Sequence, residues 1–151
     1  MNAKIIAFEG VHAYDILDRN IREEDIWISD QNWEEAVKGW KERGPAYTLV
    51  IDDQIIGCGG VVLMSHRIGE AWTLLSSLFY KYPKTSYKTI KQYLQQIIEK
   101  EKLKRIQAVI YPNQNRAIRF IEHLGFHNET PNGMVASGPN GENLLLFARR
   151  C

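Results

Sequence analysis

Cysteine is nearly absent from this chain: Cys58 and Cys151 are the only two. Two thiols build no disulfide framework, and their spacing matches no metal motif. The expectation is a buried, inert thiol at Cys58, set among Gly57, Gly59 and Gly60, and a free one at Cys151, in a reducing compartment. Long hydrophobic runs are missing too. Nothing approaches the roughly 18 apolar residues that span a bilayer, and residues 1–8 lack the pattern of a secretory leader. The expected location is the cytoplasm, with no membrane partner. An excess of charge of one sign is also lacking, since 19 Lys and Arg against 18 Asp and Glu leave a formal +1. That balance gives no support to a nucleic-acid partner. The one basic stretch with interleaved aromatics, 81–88, is better explained by phosphate binding or solvent. There are no repeats and no Pro/Gly/Ser-rich linker, so a single domain over 1–151 is expected.

What is present is a core. The 151 residues are 44% hydrophobic, and a chain of this size buries about two-thirds of its unfolded surface. Residues 4–8 read as a short strand and 12–20 as a weak helix. A clearer helix follows Asp30, a good N-cap, with Trp33, Ala36, Val37 and Trp40 at i, i+3, i+4 and i+7; Gly44 and Pro45 stop it. Strands are predicted at 47–51 and 55–64 around an Asp52-Asp53-Gln54 turn, and at 71–80 after a turn over 66–69. Together they make an antiparallel meander. After Pro83 the period becomes helical: Tyr87, Ile90, Tyr93, Leu94, Ile97 and Ile98 form one stripe, closed by Leu103 and Lys104. Residues 106–110 are nearly all apolar, as in a strand covered on both faces. Asn113 is the expected cap of a helix through Ala117, Phe120, Ile121 and Leu124, ended by Gly125. A last hairpin is expected, 134–137 with 143–148, around Gly138-Pro139-Asn140-Gly141. Its unpaired edges offer a surface for a homodimer.

Three groups of residues could carry chemistry. Lys81, Lys84 and Lys88 cluster with Thr85 and Ser86 at a helix start, where cations oppose the dipole and invite an anion; the same lysines also fit a solvated helix face. Glu70 precedes the apolar Trp72, which would raise a carboxylate's pKa, and it also reads as a solvated turn residue beside Gly69. His66, in the same turn, is the weaker alternative base. Trp33 and Trp40 at helical spacing read as core. His12, His123 and His127 lack a partner at ligand spacing and read as surface or capping residues, so no metal is expected. Ser76-Ser77 lacks the setting of a hydrolase elbow.

The order strand, helix, helix, three strands, helix, strand, helix, two strands, together with YPNQNRAIRFIEHLGF over 111–126, resembles the GNAT N-acetyltransferases. In that family an Asn-bearing loop after a strand leads into a helix with Ala and an aromatic residue, closed by Leu-Gly-Phe. Asn115, Ala117, Phe120, Leu124, Gly125 and Phe126 fall in register with it. The motif covers 106–126, and the fold-level likeness covers about residues 3–150. The resemblance implies an α/β (α+β) acyl-CoA N-acyltransferase fold with a mixed, mostly antiparallel twisted sheet. It implies acetyl-CoA as cofactor and a primary amine as acceptor, attacked directly. By the same resemblance, Phe79, Tyr80, Lys84, Thr85, Ser86, Lys88, Asn115 and Phe120 would meet the cofactor. Glu70 would act as general base, and a backbone N–H near Leu78 or Phe79 would stabilise the oxyanion. Trp27 and Trp33 would line the acceptor site.

Two departures stand out. The family's glycine-rich phosphate loop corresponds here to FYKYPKTSYKTI, 79–90, which has no glycine. Phe120 occupies the place of a proton-donating Tyr. Both departures favour a second reading, a binding or structural protein that kept the fold and lost the reaction. Short chains of that kind resemble proteins encoded by tailed phages.

Overall fold

The computed structural model describes residues 1–20 and 33–151. Seven strands form one sheet in the order β1-β2-β3-β4-β5-β7-β6. They are β1 (Ala3–Ala7), β2 (Ala46–Ile51), β3 (Gln54–Leu63), β4 (Ile68–Leu75), β5 (Arg105–Ile110), β6 (His127–Asn128) and β7 (Leu145–Arg150). Every pairing is antiparallel except β4 with β5. The helices are α1 (Gly10–Asp15), continued by a π-helical turn Ile16–Asn20, then α2 (Trp33–Glu42), α3 (Pro83–Glu101) and α4 (Asn115–His123).

The hairpin β2–β3 turns on Asp52 and Asp53, both left-handed (φ 49° and 65°). That is the primed two-residue turn whose twist suits paired strands. It pairs Ile51 with Gln54, and the register shifts once farther along, between Leu49 and Val50.

Each face of the sheet carries its own core. On one, Leu94, Ile97 and Ile98 of α3 and Ile121 of α4 pack on Val61, Ile106 and Phe147. On the other, Phe8, Ala13 and Val37 pack on Cys58 and Leu74. Each such side chain, fully buried, stabilises the fold by roughly 1.5–3 kcal/mol before entropy is counted. Gly69 faces the α3–α4 core: a Cβ there would lie 2.4 Å from Val61 Cγ1 and 3.0 Å from Leu103 Cδ1, both in that cluster. By strand alternation Glu70, Trp72 and Leu74 point to the opposite, α1–α2 face.

Several boundaries differ from the sequence expectation. The third strand begins at Ile68 and ends at Leu75, not at 80. Ser76 stops it by accepting the Leu78 N–H on its side chain, and a 3-10 turn, Ser77–Lys81, follows. Glu70 therefore lies inside the strand rather than opening it. Helix α3 ends at Glu101, with Lys102 left-handed at its C-cap. The cap of α4 is Gln114 instead of Asn113, because the Gln114 N–H closes a turn onto Tyr111 O at 3.1 Å. The expected terminal hairpin reduces to a single bridge, Met134 to Leu144. The partners of β7 are β5 and the short β6, a strand the sequence pattern did not reveal. β5 pairs with one edge of β7 along its length, while β6 covers only Phe147 and Ala148 on the other. No described helix is long and apolar enough to cross a membrane.

Candidate functional site

The one parallel pairing creates the site. β4 and β5 are joined only at Ile68–Arg105, Gly69–Ile106 and Glu70–Gln107. Beyond Glu70 the strands separate and no strand lies between them. The direction of the unpaired groups follows from the ladder. Met64 N–H bonds Ile68 O and Ser76 N–H bonds Ile56 O, so even-numbered residues of β4 make the bonds to β3. Antiparallel ladders alternate. Thr73 and Leu75 therefore aim their N–H and C=O groups into the gap.

A cleft of about 560 Å³ occupies this gap and is lined by residues from both sheet faces. On the α3–α4 side its wall includes Phe79, Tyr80, Ser86 and Phe120. Phe79 meets Phe120 edge-on at 6.1 Å, and Phe120 meets Tyr87 at 5.9 Å. These contacts bring the turn after β4, the start of α3 and the middle of α4 together. The Tyr87 hydroxyl donates to His123 O at 2.9 Å, and the Arg116 guanidinium lies 5.1 Å over the Tyr80 ring.

Ser86 is fully buried, yet its hydroxyl has no hydrogen-bond partner. Buried hydroxyls rarely stay unpaired, and this one lies in the cleft wall one turn into α3. Its backbone N–H is committed to Tyr82 O at 3.0 Å, and Pro83 at the first helical position has none to give. By helix geometry this leaves the N–H groups of Lys84 and Thr85 at the helix start. The site thus fits a thioester cofactor in part. An apolar channel, unpaired strand amides and an orphan hydroxyl are in place, while the amide nest of a glycine-rich loop is replaced by two amides flanked by Lys84 and Lys88.

On the α1–α2 side the cleft is walled by Trp33, Trp40 and Trp72, with Glu70. Trp40 stacks flat on Trp72, at 4.2 Å and 7°, and Trp33 meets Trp40 edge-on at 5.9 Å. Trp72 Nε1 is also buried without a partner. Burial alone pushes the Glu70 carboxyl above its ordinary value of 4.5.

The expected residues divide accordingly. Glu70, Phe79, Tyr80, Ser86, Phe120 and Trp33 line one cleft, whereas Lys84, Thr85, Lys88 and Asn115 lie outside its wall. Thr85 donates to Met1 Sδ at 3.8 Å, and Lys84, Lys88 and Asn115 are exposed. Leu78 sits in a separate depression against α1. The N–H groups expected to meet an oxyanion are engaged in the turn: Leu78 N–H with Ser76 Oγ at 3.2 Å, and Phe79 N–H with Ser76 O at 3.1 Å. The reason is the early end of β4, which moves the open amides back to Thr73 and Leu75. Trp27 lies outside the described residues.

Sequence reasoning missed Thr73, Leu75, Trp40 as a cleft residue, and Tyr111. The Tyr111 hydroxyl donates to Glu142 at 3.4 Å; burial first, then the Glu142 charge, pushes its pKa up to about 12. The orientation of Thr73 and Leu75 follows from the register of the β3–β4 ladder, which the sequence pattern did not reveal. Elsewhere, burial pushes Cys58 up to about 12, as an inert thiol requires. His12 Nδ1 accepts the Glu9 N–H at 3.0 Å, a capping role.

No protein-family model matches the sequence, and no curated protein matches it. Solved structures do match. The ribosomal-protein-S18-alanine N-acetyltransferase from Escherichia coli superposes with a TM-score of 0.74 at 14% identity, over 99% of this chain and 94% of that one. A spermidine N-acetyltransferase SpeG chimera from Vibrio cholerae and hSSAT gives 0.73 at 12% identity, over 99% and 96%. A GNAT-family acetyltransferase from Bacillus anthracis gives 0.71 at 14% identity, over 99% and 95%. With its parallel β4–β5 pair opening into a cleft inside a mostly antiparallel sheet, the chain has the GNAT acyl-CoA N-acyltransferase fold, in a divergent sequence.

Proposed function

We propose that the chain is an acetyl-CoA-dependent N-acetyltransferase acting on a primary amine. The observation that carries this reading is the cleft between β4 and β5, with open amides on one strand, an orphan hydroxyl at Ser86 and a half-buried carboxylate at Glu70 on the far wall. Acetyl-CoA, when bound, supplies an acyl group activated as a thioester. Ser86 Oγ and the Thr73 and Leu75 amides would hold its buried part, and Lys84 and Lys88, with the Lys84 and Thr85 amides, its phosphates. Glu70 accepts a proton from the acceptor's ammonium and so frees the nitrogen lone pair. Its raised pKa makes it a better proton acceptor than an exposed glutamate. The Thr73 and Leu75 N–H groups are the donors available to a developing oxyanion. With Phe120 lacking a hydroxyl, Tyr47, Tyr80, Tyr93 and Tyr111 are the phenols that line the cleft.

Thermal unfolding with and without millimolar acetyl-CoA tests the reading. A ligand that binds the native state alone, present at a hundred times its Kd, stabilises that state by about 2.7 kcal/mol. The Lys84→Glu/Lys88→Glu double variant should lose most of the shift. An unchanged shift in that variant would remove both lysines from the phosphate site.

A second reading, a binding protein with this fold and no transfer activity, is favoured by one observation. Pro83 and the committed Ser86 amide leave fewer phosphate donors than a glycine-rich loop would. Absence of any shift with acetyl-CoA would select it.

A further inference from the structure

The wall of the cleft opposite Ser86 defines a chemical class of acceptor, and this inference rests on the acetyl-transfer reading above. We infer that the acceptor is a monoamine with a flat, apolar body, its ammonium held by Glu70 and its body laid against the Trp33–Trp40–Trp72 wall. Among the described residues lining the cleft, Glu70 is the single carboxylate. Among the described residues no cation or hydrogen-bond donor meets it, and burial is the cause acting on its charge. A partly buried, uncompensated carboxylate is relieved by a cation.

What lies beside Glu70 decides which cation. Trp72 follows two residues later on the same strand face, about 6.6 Å along the strand, and Trp40 stacks flat on it. Phe8 meets the Trp72 ring edge-on at 5.3 Å and fixes its plane. A rigid indole wall offers large apolar area and favours a cation at its edge or face. Among the described residues lining the cleft there is no second carboxylate for a second ammonium. A linear polyamine therefore suits this wall poorly, and an arylalkyl or branched alkyl monoamine suits it well.

Calorimetric titration of the whole chain at neutral pH, without cofactor, tests this with phenethylamine, phenethyl alcohol and spermidine. Phenethylamine should bind more tightly than either of the others. Glu70→Gln should weaken it about tenfold, the size of one charge-assisted contact, and leave the alcohol unchanged. Trp33→Leu, at the start of α2, should weaken amine and alcohol alike. The inference is overturned if spermidine binds more tightly than phenethylamine, or if Glu70→Gln binds phenethylamine as the parent does. A parallel titration with acetyl-CoA separates the two readings. Acetyl-CoA binding without phenethylamine binding overturns the acceptor class and keeps the transfer reading. Phenethylamine binding without acetyl-CoA binding keeps the amine site and overturns transfer.

Discussion

Two side chains, Glu70 and Ser86, work against stability where they stand. The Glu70 carboxyl is raised by burial, so its protonated form is favoured in the folded state. Its destabilisation is absent below the ordinary carboxyl value of 4.5 and grows as pH rises through the raised folded value. Glu70→Gln is therefore expected to unfold at a higher temperature than the parent at neutral pH. The difference should vanish in acid, where both carry a neutral side chain; thermal melts across pH read this. Ser86→Ala removes a buried hydroxyl without a partner and puts a better helix former into α3. It should stabilise by about 1 kcal/mol in urea unfolding, while reducing the shift produced by acetyl-CoA. Gain of stability with loss of binding marks a polar group kept for a ligand. That Glu70 is half-buried was not legible from its neighbours Gly69 and Trp72, which fit a solvated turn equally well. Burial was decided by β3 and by the helices over that face.

At the scale of elements, periodicity located most helices and strands, and the errors fell at their ends. The stripe from Tyr87 to Ile98 marks α3 because most of its residues pack into the core between α3, α4 and the sheet. Its last turn is set instead by backbone geometry. Lys102 stands at φ 54°, a conformation that costs a residue with a Cβ roughly 1 kcal/mol. Lys102→Gly relieves this strain and adds chain entropy to the unfolded state. The expected net is a gain of up to about 1 kcal/mol in thermal or urea unfolding. A loss would mean that the Lys102 side chain makes a contact worth more than the strain. Strand β4 was misread at its end because Leu78 and Phe79 continue the apolar run. The hydrogen bond from Leu78 N–H to Ser76 Oγ turns the chain all the same. The two-residue β6 is too short to show a period.

Across the whole molecule the sheet is two antiparallel parts joined by three residue pairs between β4 and β5, with α3 spanning them. Ile106 stands in that seam and is fully buried. Ile106→Ala should cost about 2–5 kcal/mol, read by urea unfolding. Because the seam sets how far the strands open, the variant should also lose its response to acetyl-CoA at temperatures where it is still folded. A retained response would mean that the cleft keeps its shape independently of the seam. The fold as a whole was legible from element order and from Asn115, Ala117, Phe120, Leu124, Gly125 and Phe126. The last four serve packing: Leu124 and Phe126 are buried, Phe120 joins the same cluster, and Gly125 takes φ 91° at the helix end.

The amino-acid sequence by itself determined the kinds of element, the Asp52-Asp53 hairpin and the likeness to the acetyltransferases. These depend on near neighbours in the chain: side-chain period, turn geometry and caps. The tertiary structure decided where β4 and β5 part, that Thr73 and Leu75 face the gap, that Ser86 is left without a partner, and that Trp33, Trp40 and Trp72 share one wall with Glu70. Those facts depend on register across strands and on packing between segments far apart in the chain, and no local pattern encodes which buried group goes unpaired.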